Sequence, residues 1–77
     1  MANQQHIMVF VKATDNGQVI IADIEKGYYM IEYNDRLFLE KQQQIIIEID
    51  FYDNWHTITN PLNGRVATIT SVEKINF

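Results

Sequence analysis

The side chains that could do chemistry in this 77-residue chain are few. His56 has the type of a general base or metal ligand, and Asp50 and Asp53 lie close to it in sequence. Strict alternation puts Ile45, Ile47, Ile49 and Phe51 on one face and Glu48, Asp50 and Tyr52 on the other. With Asp53-Asn54 as a two-residue turn, His56 falls on the inner face, Asp50 on the outer and Asp53 in the turn, so the three do not converge. His6, near the start, reads as solvated. Ser71 is the sole serine, cysteine is absent, and no motif places a base beside a nucleophile. The chain holds no glycine-rich phosphate loop and no H-E-x-x-H, G-x-S-x-G or EF-hand pattern. A non-enzymatic protein with no cofactor and no metal site is therefore expected.

Recognition chemistry has a clearer candidate. In the same register Tyr52 opposes Trp55 across the turn, on the polar face beside Glu48 and Asp50. Tyr and Trp are the residue types that dominate binding hot spots, so Tyr52, Trp55, Glu48 and Asp50 form the expected partner site. Its carboxylates favour a partner with a basic surface. A second candidate lies on the first two strands, which are apolar on both faces. With Ile7, Val9, Val11 and Ala13 taken as inward, Met8, Phe10, Val19 and Ile21 become an outer face suited to self-association or to a partner. The threonines Thr57, Thr59, Thr68 and Thr70 read as an ordinary solvent-face ladder.

The elements that must position these residues are strands. The apolar period is two almost throughout, interrupted by turn signals at short intervals. Asn16-Gly17 predicts a hairpin that places Val11 opposite Ala22 and Val9 opposite Ile24. Gly27 marks a bend before "YYMIEY". The segment "RLFLEKQQQ" suits neither template well, and residues 35–44 are read as a further strand or as a short helix capped by Asp35. The Asp53-Asn54 turn sets Ile49 against Ile58. Asn63-Gly64 would set Ile58 against Ile69, Thr57 against Thr70 and Thr59 against Thr68. Ile75 and Phe77 are expected to close one end of the core. The fold class is all-β: one domain over residues 1–77, a small antiparallel meander of six or seven short strands forming a barrel or a two-layer sandwich.

Composition bounds the partners. At 47% hydrophobic and 21% charged the chain is globular, yet its length allows only one small core. Six basic residues are scattered against ten acidic ones, for a formal charge of -4, so the clustered positive charge that nucleic acid needs is missing. No run approaches a membrane span, and the N-terminus lacks the pattern of a secretory signal, which makes cytoplasmic residence the expectation. Abundant Ile and Asn with few Gly, Pro and Arg is the usage of AT-rich coding DNA, as in phages and low-GC bacteria. The expected function is a small acidic β module that binds protein or self-associates as a homo-oligomer, of the kind that inhibits a host protein. The competing readings are a small OB, SH3 or Sm type barrel stacking single-stranded nucleic acid on its aromatics, and a structural subunit of a virion or other assembly.

Overall fold

The computed structural model describes residues 3–76. Six strands carry its regular structure: β1 Gln4–Ala13, β2 Val19–Asp23, β3 Gly27–Tyr33, β4 Gln44–Ile49, β5 Trp55–Asn60 and β6 Arg65–Ile75. Each pairs antiparallel with its neighbours in the ring β1-β2-β3-β6-β5-β4, and β4 closes back on β1. Of the two architectures the alternation allowed, the chain forms the barrel. Closure gives every strand a neighbour on each side, although β1 meets β2 only from Val9 to Ala13 and β6 meets β5 only from Arg65 to Thr68.

Two three-stranded meanders build the ring, joined by one long crossover over residues 34–43. Strand direction then defines two ends. One carries the β2–β3 and β4–β5 loops, the start of β1 and the finish of β6. The other carries the β1–β2 and β5–β6 loops and the crossover.

The hairpins form where the turn residues predict, but with longer loops. Thr14 closes on Gln18 and Asp50 on Asn54, each across a three-residue loop whose last residue is left-handed: Gly17 at φ 79° and Asp53 at φ 64°. The loop from Pro61 to Gly64 has four residues and ends on Gly64 at φ 75°. In each case the opening residue turns its own side-chain oxygen onto the loop backbone. Thr14 Oγ1 accepts from Gln18 N–H, Asp50 Oδ1 from Tyr52 and Asn54 N–H, and Asn60 Oδ1 from Leu62 N–H. The glycines thus supply the left-handed residue after a type I-like turn, and not the centre of a two-residue turn.

Registers accordingly differ from expectation by two residues. Val9 pairs with Ala22, Ile47 with Ile58, Thr57 with Thr68 and Ile58 with Ala67. A shift of two preserves the face of every side chain, which is why the core pattern of β4 to β6 survives it.

The faces of β1 and β2 are inverted relative to expectation. Met8, Phe10, Val19 and Ile21 are buried in the barrel core with Ile31, Ile45, Ile47, Ile49, Ile58, Ala67 and Ile69. Ile7 and Ile24 lie outside, Ile24 fully exposed. Both faces of these strands are apolar, so period alone could not choose between them. The barrel interior takes the bulkier Met8 and Phe10, with Met8 lying opposite Ile45 and Phe10 opposite Ile21.

Residues 35–44 are neither the expected strand nor a helix up to Gln44, where β4 begins. Phe38 at φ 56° and Gln42 at φ 65° break both regular patterns, and between strand ends the segment drops Leu37, 1% exposed, into the crossover end of the barrel. Ile75 is half-buried opposite Tyr28, while Phe77, its expected companion, lies outside the described residues. Among the described residues no helix is long and apolar enough to cross a membrane.

Candidate functional site

A β-bulge decides the geometry of the β4–β5 hairpin. Glu48 pairs with Thr57 and Ile49 with Trp55, so His56 is the extra residue on β5. The bulge reverses the parity on which Trp55 was expected to face outward and His56 inward. Trp55 turns into the barrel, where it packs against the core and against Tyr29, the ring centroids 4.7 Å apart at 53°. This pair closes the end of the barrel as an aromatic plug, an arrangement worth about 1 kcal/mol beyond the area it buries. Trp55 is therefore not an exposed anchor.

His56 turns outward instead and meets Asp50, its Nε2 2.8 Å from Asp50 Oδ2. The two residues that alternation set on opposite faces are thus brought together, because Asp50 lies beyond the last residue of β4 and is free to swing with the loop. Against a carboxylate acceptor the Nε2 must carry the proton. Asp50 is then the hub of the loop: Oδ1 accepts the N–H groups of Tyr52 and Asn54, and Oδ2 accepts from His56 and from the Asn54 amide at 3.3 Å. These bonds, the His56 bond foremost, hold the Asp50 carboxyl down to about 2. Asp53 takes no part in the dyad, and among the described residues no three His, Cys, Asp or Glu side chains are placed to hold a metal ion. The dyad orders the loop; it faces no nucleophile among its hydrogen-bond partners.

What the ordered loop presents is Phe51 and Tyr52, 68% and 79% exposed, with their rings edge to face at 5.7 Å. Alternation places Phe51 inside, but β4 ends at Ile49, two residues before it. The signal that could have placed it is the pattern "DFYDN", an oxygen-bearing residue followed three positions later by one that tolerates the left-handed region. The same spacing occurs in "TDNG".

Charge is divided unequally between the ends. Asp23, Glu25, Glu48, Asp50, Asp53 and Glu73 lie toward the end that carries Phe51 and Tyr52, against Lys26 and Lys74, which leaves -4. Asp15, Glu32, Asp35 and Glu40 lie toward the crossover end with Lys12, Arg36, Lys41 and Arg65, which leaves zero. The whole formal net charge of the chain thus resides at the end with the exposed aromatic pair. Asp50 accepts the Tyr52 N–H, while Glu48 lies on β4 opposite Thr57 and accepts from Asn3 Nδ2 at 2.8 Å. The apolar surface expected on Met8, Phe10, Val19 and Ile21 is replaced by the opposite face, where Val9, Val11, Ala22, Ile24 and Tyr28 line a groove of about 440 Å³ rimmed by Lys41 and Gln42.

The crossover end is built differently. Arg65 Nε donates to Arg36 O at 2.7 Å, and Asn60 and Asn63 both donate to Leu37 O, at 2.7 and 3.1 Å. Asn60 is 1% exposed, the one buried polar side chain among the described residues, and its Oδ1 accepts from Gln43 Nε2 and Leu62 N–H. A left-handed Phe costs roughly 1–2 kcal/mol, and this network holds the segment against that cost.

The class these features define is a closed six-stranded antiparallel barrel with one acidic aromatic end. No protein-family model, curated protein or solved structure matches the chain.

Proposed function

We propose that this chain is a non-enzymatic protein-binding module that applies its acidic end to a basic surface on another protein. The observation that carries the reading is the coincidence of the entire net charge of -4 with an exposed Phe51–Tyr52 pair on a loop fixed by Asp50. The aromatic pair supplies contact area at low entropic cost because its loop is already ordered. The carboxylates around it supply steering and discrimination against acidic partners. Ile- and Asn-rich composition fits a phage or low-GC bacterial source. There a small acidic barrel would act by occupying a host protein's basic surface.

Capture from a low-GC bacterial lysate, with the wild-type chain and with Phe51→Ser/Tyr52→Ser side by side, tests this. A basic protein held by the wild type at low salt, released as salt rises, and bound at least tenfold more weakly by the double variant is the expected outcome. Equal capture by both chains would contradict it.

A further inference from the structure

A second site lies at the crossover end, away from the surface proposed above. A concavity of about 470 Å³ opens there between the β1–β2 loop and the crossover, lined among others by Gln18, Tyr33, Asp35, Arg36, Leu37 and Phe38, with the Asp35 carboxylate already engaged by Arg65 and by the Arg36 N–H. Its size falls within the range of small-molecule sites, and the mouth of a barrel is a usual place for one.

Three observations make it a built site and not a gap between loops. First, its aromatic wall is held in an unfavourable conformation. Phe38 sits at φ 56° with its ring 64% exposed, although an aromatic residue in the left-handed region gains nothing locally. Strain of this kind persists only where the surroundings over-determine it. Here Asn60, Asn63 and Arg65 together fasten the consecutive carbonyls of Arg36 and Leu37, and the Arg65 guanidinium lies 5.1 Å from the centre of the Phe38 ring. Fastening the backbone on both sides of Leu37 sets the ring before any ligand arrives, which is what a binding wall needs.

Second, a cation at the lip is uncommitted. Arg65 pairs with Asp35 at 3.5 Å, whereas the guanidinium of Arg36 has no hydrogen-bond or ion-pair partner among the described residues. A guanidinium presents a planar fork of donors that matches an oxyanion. Third, Tyr33 forms a second aromatic wall. Burial pushes its hydroxyl above the ordinary tyrosine range, so near neutral pH it stays protonated and able to donate.

We infer that this concavity binds a small planar aromatic molecule carrying an oxyanion, its ring between Phe38 and Tyr33 and its anionic group on Arg36. A mononucleotide and a free aromatic carboxylate share that chemistry.

The test is a titration of the ¹⁵N-labelled full chain with adenosine monophosphate, with indole-3-acetate, and with adenosine as the uncharged counterpart, followed by amide chemical shifts. Saturable shifts confined to residues 17–19 and 33–38 with either anion are expected, with adenosine binding at least tenfold more weakly. Response to only one anion would name the source of the chemistry. Arg36 is exposed, so Arg36→Gln should keep the wild-type spectrum and bind the anion at least tenfold more weakly. Absence of saturable shifts with both anions would overturn the assignment. So would shifts centred on Val9, Ala22 and Ile24, or unchanged binding by Arg36→Gln.

Discussion

The two ends of the barrel face the same packing problem and solve it by different means. Each must stop water from entering a six-stranded ring. At the acidic end the plug is an aromatic pair of strand residues, Tyr29 on β3 and Trp55 on β5, the latter turned inward by a bulge. At the crossover end the plug is Leu37, which no strand supplies, so an irregular segment carries it in and a buried asparagine fixes the segment in place. A strand-borne plug leaves the adjoining loop free of structural duty, and that loop presents Phe51 and Tyr52 to solvent. A loop-borne plug commits the loop to the fold, and the bonds that fasten Leu37 also set the exposed Phe38 that follows it.

The sharpest way to break this comparison is to remove a plug. Leu37→Ala should destabilise the domain by about 3 kcal/mol, read from a denaturant midpoint, because a fully buried leucine leaves a cavity. A loss well below 1 kcal/mol would mean that Leu37 closes nothing. Trp55→Ala should cost about 2 kcal/mol, less than a fully buried aromatic, since Trp55 is only partly covered. If the variant kept full stability and lost only partner binding, Trp55 would be an anchor after all, and the two ends would not be alike in being plugged.

Acid titration sharpens the contrast between loops. Asp50 has a folded value of about 2, below the ordinary 3.8, so its stabilising contribution is complete above about pH 4 and is lost as the pH falls toward 2. Asp50→Asn should flatten the stability profile in that window, measured by thermal unfolding across pH 2 to 5. An unchanged profile would show that the bonds from His56, Tyr52 and Asn54 do not hold the carboxyl down. The smallest effect is expected from Phe51→Ser/Tyr52→Ser, which should move stability by no more than about 0.5 kcal/mol because both side chains are exposed. A larger loss would place them in the fold and not at a binding surface.

How far the sequence could be read follows from these same residues. Turn chemistry was legible in position: Asn16-Gly17, Asp53 and Asn63-Gly64 all lie where the chain reverses. Loop length was not, because a left-handed glycine serves both a two-residue turn and a longer type I-like turn. The oxygen-bearing residue three or four positions earlier is what separates them. The core of β4 is legible because Ile45, Ile47 and Ile49 alternate with a face that carries Gln44 and Glu48. That of β1 and β2 is not, since two apolar faces give alternation nothing to choose by, and only closure of the ring selects Met8 and Phe10. Spacing places Asp50 next to Tyr52, and the structure joins them through the Tyr52 N–H. The inward turn of Trp55 escapes alternation because a bulge changes parity without any residue of special type to announce it, and Phe51 escapes it because β4 stops at Ile49 and Phe51 belongs to the loop. The crossover was illegible for a related reason. Its conformation is set by Asn60, Asn63 and Arg65, more than twenty residues away in sequence.

The measurement that bears most directly on the functional reading is the footprint of the captured partner on the ¹⁵N-labelled chain. Amide shifts over residues 23–27 and 48–56 are expected, with the indole signal of Trp55 beneath the loop among them and the crossover end silent. A footprint on the Val9, Ala22 and Ile24 groove or on residues 33–38, with residues 48–56 unmoved, would contradict it.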